Sequence, residues 1–149
     1  MLDASRRYRN FENLNLDYDA TFKQSDRKDR YAQVAADLVA KGRAVHRDGA
    51  VFLNHQLSLN PQVVSVADAA VGSIPVTQND HDFVANMVLI KSDGMATYHF
   101  ASVVDDIDTG VNFVIRGADH ISNTVKQVAL YLALDKPVPK YAHVGLLHD

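Results

Sequence analysis

The chain has 149 residues, of which 47% are hydrophobic, so it is long enough for one globular domain with a core but too short for two ordinary domains. It contains no cysteine, which excludes disulfides and thiolate metal sites and favours a reducing, cytoplasmic location. The longest unbroken apolar run, residues 128–134, is far too short to span a bilayer.

The formal net charge is −3, but the two signs are unevenly distributed. Residues 1–47 carry ten of the fifteen Lys and Arg beside seven acids, so this part has a charge of +3 and the remainder −6. Between Asp48 and Ile90 the sequence has no Lys or Arg. Cations supply most of the affinity for a phosphate backbone, so this segment is expected to bind nucleic acid poorly.

The first predicted element is a helix from Ser25 to Gly42. Ser25 is expected to be its N-cap, and Gly42 is expected to end it. Apolar residues recur along it at i, i+3, i+4, i+7 and i+8, which is typical of a helix with one buried face. That face comprises Tyr31, Val34, Ala35, Leu38 and Val39.

Short runs rich in β-formers follow the helix: "AVFLN", "QVVSVAD" and "SIPVT". Turn residues separate them, namely the pairs Asp48-Gly49 and Asn60-Pro61 and then Gly72 and Pro75. The pattern predicts a small, mostly antiparallel insert over residues 44–82.

The next two segments differ in how clearly they can be interpreted. "NMVLIKSDG" predicts a buried strand that runs into a turn at Asp93-Gly94. "TYHFASVVDDID" is ambiguous, because its adjacent valines favour a strand. As a helix it would place four residues on one face: Tyr98, Ala101, Ser102 and Asp105.

The last third of the chain predicts a βαβ unit with parallel strands. "VNFVI" is a strand expected to enter the core, Arg116-Gly117 a turn, and "YAHVGLL" the final strand. Between them residues 121–134 predict a helix whose core-facing residues are Ile121, Val125, Val128, Ala129 and Leu132.

Arg116 follows an apolar strand, at the end of a parallel sheet where ligands collect. Its guanidinium can clamp a carboxylate with two hydrogen bonds, and Asp119, in the first turn of the next helix, can accept hydroxyl or ammonium hydrogen bonds. The alternative is a structural salt bridge from Arg116 to Asp105 or Asp106. The residues alone leave both interpretations open.

Metal binding is not predicted. The seven histidines show neither HxxxH nor HxH spacing, so we expect ordinary surface or packed histidines. Asp105, Asp106 and Asp108 are close enough in sequence to bind Mg²⁺, but adjacent acids usually mark a solvated face or a helix cap. No glycine-rich phosphate loop occurs in the sequence.

From Lys91 to Leu147 the sequence resembles the second half of the catalytic domain of glutamyl-tRNA synthetases, which are class I enzymes. "SDGMATYHF", "VVDD" and "VIRGADHISNT" carry the resemblance, followed by a helix, a proline-containing loop and "AH". A weaker, collinear similarity covers "LNLDYDATFKQSDRKDRYAQVAADLVAKGRAV". The resemblance implies an α/β fold with a partial Rossmann-type core. Its parts would be an N-terminal segment and helix (1–43), a reduced acceptor-binding-like β insert (44–82) and the second half of the core (83–149).

The resemblance also implies site residues and substrates. Tyr98 matches a tyrosine that lines the amino-acid pocket, and Ser102 stands where some members have an asparagine that touches the substrate. Arg116 matches the arginine that recognises the side-chain carboxylate of glutamate. Asp119 matches an acidic position near the adenylate site. The implied substrates are glutamate, ATP with Mg²⁺, and tRNA.

The departures from the family pattern bear on activity. Ala96 replaces a proline, Ala118 replaces an acid, and the insert lacks the cations expected to grip an acceptor stem, so tRNA binding should be weak or absent. The sequence has neither a His-Ile-Gly-His-type nor a Lys-Met-Ser-Lys-Ser-type element, whose side chains stabilise charge on ATP.

We therefore expect a chain that is catalytically incomplete alone. Three functions remain open. The first is a split or degenerate synthetase part that acts only with a partner supplying the missing signatures. The second is a non-catalytic module that keeps the glutamate pocket or a weak acceptor-end contact, and the third is a remnant that folds and oligomerises without synthetase chemistry. In the family fold another strand precedes the matched part, so strands 88–90 and 111–115 risk exposure. Residues 1–24 would cover them, or a second copy would. We expect a homodimer.

Overall fold

The computed structural model describes residues 23–54 and 65–145. Within these ranges the chain forms short strands and α-helices in an α/β arrangement. In chain order they are α1 (Lys28–Ala40), β1 (Ala44–Arg47), β2 (Ala50–Leu53), β3 (Ser65–Asp68), β4 (Gly72–Pro75), α2 (Gln78–Ala85), β5 (Val88–Ile90), α3 (Tyr98–Thr109), β6 (Phe113–Gly117), α4 (Ile121–Ala133) and β7 (Lys140–Val144). No helix in the described ranges has the length and apolar character needed to cross a bilayer.

Helix α1 begins later than predicted and ends as predicted. Ser25 lies in a preceding 3₁₀ turn, where its hydroxyl bonds to Asp26 at 3.2 Å, so the predicted N-cap is wrong. At the other end Gly42 has a φ of 69°, and its amide donates to the carbonyl of Val39 at 2.9 Å. The buried side chains are four of the five predicted: Tyr31, Val34, Ala35 and Leu38. Val39 is only partly buried.

The predicted antiparallel pairing is confirmed in two hairpins. Strands β1 and β2 pair antiparallel, and so do β3 and β4. The first hairpin joins β5 in a three-stranded sheet of order β1-β2-β5, in which Leu89 is fully buried. The second contacts β7, because the amide of Ala69 donates to the carbonyl of Tyr141 at 2.8 Å. The β3–β4 hairpin therefore lies against β7, a strand of the candidate functional site described below.

Helix α2 was not predicted from the sequence. Thr77 and Asp80 form a capping box at its start: the Asp80 amide donates to the Thr77 hydroxyl at 3.3 Å, and the Thr77 amide donates to the Asp80 carboxylate at 2.9 Å. The helix covers only eight residues and buries Val84.

The ambiguous segment is a helix, α3, preceded by a buried strand as predicted. Phe100, Val103 and Val104 have helical spacing and are all buried, so tertiary packing outweighs the strand preference of the valines. The helix ends at Gly110, whose φ of 73° is left-handed. β5 confirms the predicted strand before it, and Gly94 has the positive φ of the predicted turn.

The predicted βαβ unit is confirmed. β6 and β7 pair in parallel, with Arg116 opposite His143 and Gly117 opposite Val144. The predicted turn at Arg116-Gly117 is wrong, because both residues belong to β6 and pair with β7. Arg116 nevertheless lies at the carboxyl end of the strand, as expected.

The two sides of β6 have different environments. Val114 packs against the core, and the side chain of Arg116 turns to the same side, towards α4. Phe113 and Ile115 point the other way and are 40% and 66% exposed. The expectation that the whole strand enters the core is therefore wrong for its outward-facing half.

The core-facing side of α4 is largely as predicted. Val125, Val128 and Ala129 are buried, and Ile121 packs against the core while partly exposed. Leu132 is 48% exposed, so its predicted burial is wrong. The helix packs on α3 and α2, and the largest buried side chains of the core include Tyr31, Phe100, Leu89, Leu130 and Tyr131.

Candidate functional site

The guanidinium of Arg116 is held by three polar side chains. Its Nε donates to His143 Nε2 at 3.1 Å, its Nη1 to Gln127 Oε1 at 2.8 Å and its Nη2 to Thr124 Oγ1 at 2.7 Å. The Tyr141 ring lies on one side, with its centroid 5.6 Å from the guanidinium carbon. Contacts from one strand pair and one helix therefore fix the plane of the cation.

The partners on α4 follow from helical spacing. Thr124 and Gln127 are three residues apart and share the side of the helix that packs on the strands. Both are at least 95% buried, with exposures of 0% and 5%. Buried polar side chains require hydrogen-bond partners, and Arg116 supplies a donor to each.

His143 is held in turn by Asp68, the last residue of β3. The Asp68 Oδ2 lies 2.6 Å from His143 Nδ1, and both side chains are fully buried. The Oδ1 atom accepts hydrogen bonds from the amides of Ala70 and Val71 at 2.9 Å and of His143 at 3.3 Å. Burial alone would raise the pKa of Asp68, but these amides and His143 hold it well below its ordinary value.

The alternative salt bridge from Arg116 does not occur. Asp105 pairs with Arg27, whose Nε lies 2.7 Å from its carboxylate, and Asp106 accepts from the Tyr131 hydroxyl at 3.4 Å. Among the described residues no carboxylate lies within 4.0 Å of the Arg116 guanidinium. A guanidinium has five N–H groups, and three are used here, so two are left for a ligand within the described part of the chain.

Tyr98 and Ser102 lie one turn apart on α3, and no hydrogen bond joins either to Arg116 in the described structure. Tyr98 is 56% exposed, and its ring meets that of His99 edge-on, with centroids 5.3 Å apart. Burial lowers the pKa of His99, as do the charges of Lys126 and Arg116. The positive charge of Arg116 thus reaches the first turn of α3, which carries Tyr98.

Asp119 lies apart from the cluster around Arg116. It belongs to a 3₁₀ turn, Ala118–His120, before α4 rather than to the first turn of the helix. Its side chain is 55% exposed, and its carboxylate lies 3.6 Å from the His120 ring. It remains accessible beyond the carboxyl end of β6.

The acids at the end of α3 contact arginines from the start of the chain's described part. Asp108 accepts from Arg30 at 2.7 and 2.8 Å and pairs with Arg27, which also contacts Asp105. These contacts join α3 to α1. No group of three potential metal ligands occurs within residues 23–54 and 65–145.

Four members of the Arg116 cluster were not identified from the sequence: Asp68, Thr124, Gln127 and His143. Thr124 and Gln127 offered a signal, since polar residues on the buried face of a helix need partners. His143 was expected to be an ordinary surface or packed histidine, and it is packed. Asp68 offered no local signal, because its partner is 75 residues away.

Comparisons with known proteins match this chain to one family. The sequence model described as "tRNA synthetases class I (E and Q), catalytic domain" matches residues 46–149. Glutamate–tRNA ligase 2 of Neorickettsia sennetsu is 38% identical over 138 residues, which are 91% of this chain and 32% of that protein. Glutamate–tRNA ligase 2 of Wolbachia pipientis subsp. Culex pipiens is 36% identical over 165 residues, covering 91% of this chain and 36% of that protein. The chain spans about a third of the length of these curated relatives.

Solved structures show the same fold. The glutamate-tRNA synthetase of Elizabethkingia anophelis superposes with a TM-score of 0.67 at 22% identity, covering 99% of this chain and 41% of that one. A glutamate tRNA ligase from Elizabethkingia meningosepticum superposes with a TM-score of 0.64 at 23% identity, covering 89% of this chain and 35% of that one.

The βαβ unit, with Arg116 at the carboxyl end of its first strand, is thus part of the α/β fold of a class I aminoacyl-tRNA synthetase catalytic domain. The chain belongs to the class I tRNA synthetase family for glutamate and glutamine.

Proposed function

We propose that the chain contributes a glutamate-binding site to tRNA glutamylation, with Arg116 holding the side-chain carboxylate. The observation that carries the proposal is a fixed guanidinium without a carboxylate partner among the described residues and with two N–H groups left over. A planar, permanently charged fork matches a carboxylate and discriminates against neutral analogues.

The relatives support this assignment. The matched curated proteins are named glutamate–tRNA ligases, and the Elizabethkingia meningosepticum structure is described as a complex with its amino acid. In the proposal Tyr98 and Ser102 line the amino-acid pocket from α3, and Asp119 lies on the side where an adenylate would be held. The exposure of Tyr98 and Asp119 is compatible with contact to a ligand.

Calorimetry with glutamate and glutamine tests the assignment. Glutamate should bind the wild-type chain at millimolar concentration or below, and glutamine should bind less tightly. Arg116→Ala should lose about 1.5–3 kcal/mol, the typical contribution of a hydrogen bond to a charged group. Arg47→Ala is the matched control, because this arginine lies over the Phe52 ring at 3.9 Å on another sheet.

Two results would contradict the assignment. One is an absence of glutamate binding by the folded wild-type chain. The other is equal affinity in wild type and Arg116→Ala, which would leave Arg116 a structural residue that satisfies Thr124, Gln127 and His143.

We further propose that the 149-residue chain does not activate glutamate by itself. The sequence contains neither a His-Ile-Gly-His-type nor a Lys-Met-Ser-Lys-Ser-type element. The side chains of these elements neutralise charge on the phosphates of ATP, and each typically contributes several kcal/mol to catalysis. The chain should therefore show no glutamate-dependent exchange of pyrophosphate into ATP above a heat-treated control. Exchange that depends on Arg116 would contradict this and indicate a complete active site.

A second candidate role, association without synthetase chemistry, is favoured by the outward side of β6. Val111, Phe113 and Ile115 alternate along the chain and are 37%, 40% and 66% exposed. Within the described residues β6 pairs only with β7, so its other edge presents hydrogen-bonding groups. We propose that a second copy of the chain docks there, because a two-fold contact satisfies the same edge and the same apolar side in both copies.

A further inference from the structure

We propose that Asp68 and His143 are positioning residues that set the orientation of the Arg116 guanidinium through the tautomer of the His143 ring. The inference rests on the proposed function for the identity of the ligand, a carboxylate. It adds that the β3–β4 hairpin, which supplies Asp68, helps to determine affinity although Asp68 has no direct contact with Arg116.

The donors and acceptors leave one consistent assignment for His143. Arg116 Nε is always a donor, and it points at His143 Nε2 at 3.1 Å, so Nε2 must be an acceptor without a proton. The ring proton then lies on Nδ1, where it is donated to Asp68 at 2.6 Å. In this tautomer the Thr124 hydroxyl, which accepts from Arg116 and lies 3.0 Å from the same Nε2, shares the lone pair of that nitrogen as a second donor.

Asp68 is itself held so that it can only accept from His143. Three backbone amides donate to its Oδ1, which turns Oδ2 towards Nδ1. The β3–β4 hairpin is anchored to β7, the strand that carries His143, by the hydrogen bond from the Ala69 amide to the Tyr141 carbonyl. The chain of contacts from Asp68 to His143 to Arg116 is therefore continuous and buried at its first two members.

Asp68→Asn is an isosteric variant that reverses this arrangement. The three amides keep the carbonyl oxygen of the asparagine on their side, so its NH₂ group faces His143 Nδ1 and donates to it. The ring proton must then move to Nε2, where it opposes the N–H of Arg116. Arg116 loses the acceptor for its Nε, and only Gln127 and Thr124 then hold the guanidinium.

Nitrogen NMR of the His143 ring, without ligand, is the first test. The wild-type chain should show the proton on Nδ1, and Asp68→Asn should show it on Nε2, with faster solvent exchange of the Arg116 Nε–H. A purely structural role for Asp68 would lower the melting temperature without inverting the tautomer. A wild-type proton on Nε2 would overturn the proposal even if Asp68→Asn did not fold.

Glutamate titration is the second test. Asp68→Asn, measured well below its melting temperature, should bind glutamate about tenfold more weakly, which corresponds to about 1.4 kcal/mol. Asp93→Asn is the matched control, because Asp93 also accepts a turn amide, from Met95 at 2.9 Å, but has no hydrogen bond to the Arg116 cluster. It should leave the affinity unchanged.

The NMR comparison and the glutamate titration together separate the positioning role of Asp68 from the proposed function of Arg116. An inverted tautomer with unchanged glutamate affinity would overturn the positioning role. A wild-type chain that has the expected tautomer and does not bind glutamate would refute the proposed function, while the NMR comparison would still support control of Arg116 by Asp68.

Discussion

Replacing Ile115 with lysine should abolish the homodimer that we propose for the outward side of β6. Ile115 is the most exposed large apolar residue in the described structure, at 66%. It lies on the same side of β6 as Phe113, and Val111, two residues before the strand begins, is exposed as well. A charged side chain there would have to lose its water in the dimer interface without a partner.

The magnitude follows from the exposure of this side chain. Full burial of an isoleucine stabilises by about 1.5–3 kcal/mol, so burying the exposed two-thirds contributes about 1–2 kcal/mol. A two-fold interface contains the residue twice, so the substitution removes about 2–4 kcal/mol of association free energy. That loss weakens the dissociation constant by roughly 30- to 1000-fold.

Sedimentation velocity over a micromolar to millimolar concentration series measures this effect. The wild-type chain should sediment as a dimer and Ile115→Lys as a monomer at the same concentration. Val71→Lys is the control, because Val71 is also exposed, at 49%, but lies in the turn between β3 and β4. A wild-type monomer throughout the series, or a dimer that Ile115→Lys leaves intact, would contradict the proposed interface at β6.

Three further predictions concern stability and tRNA. Gly110→Ala should lower the free energy of unfolding by about 1 kcal/mol in urea titrations, because alanine is strained at the left-handed φ of 73° that glycine adopts freely. A steric clash adds nothing, since a Cβ at this position would meet no atom within 4 Å. Folding lowers the pKa of Asp68, so the ionised carboxylate stabilises the fold. This contribution is complete above the ordinary carboxyl pKa near 4 and is lost progressively as the pH falls below that value. The stability difference between wild type and Asp68→Asn should therefore shrink below about pH 4, and a difference independent of pH would contradict the assignment. Filter binding at physiological salt should give a tRNA dissociation constant weaker than micromolar, because residues 48–90 lack cations, and tight binding with a steep salt dependence would refute this.

The elements of the fold were predictable where one local signal dominated. Helix α1 has a regular apolar face and a terminal Gly42, and both predictions are confirmed. The segment that became α3 was ambiguous, because β-branched Val103 and Val104 oppose its helical spacing and only their burial resolves the conflict. Helix α2 was missed, although Thr77 and Asp80 have the spacing of a capping box.

The candidate site was predictable only at its centre. Arg116 stands out because a cation follows an apolar run in the sequence, and the family resemblance assigns it a role. Its orientation depends on Asp68 and His143, which contact each other across 75 residues of sequence. No local pattern specifies such a contact, because it arises only when the β3–β4 hairpin packs on β7.

The burial of β6 shows a similar limit. Its apolar run predicted a core strand, since parallel strands are usually covered on both sides. Val114 is partly buried against the core, whereas Ile115 is exposed. The neighbours on each side of the strand therefore set the burial of its residues, and the apolar composition alone does not.

A crystal structure of the chain with glutamate would show directly whether Arg116 binds the side-chain carboxylate. We expect a glutamate carboxylate within hydrogen-bonding distance, about 3 Å, of the Nη atoms of Arg116, while Thr124, Gln127 and His143 keep their present contacts. Glutamate bound elsewhere, or a carboxylate of the chain itself occupying the two remaining N–H groups of Arg116, would contradict this expectation.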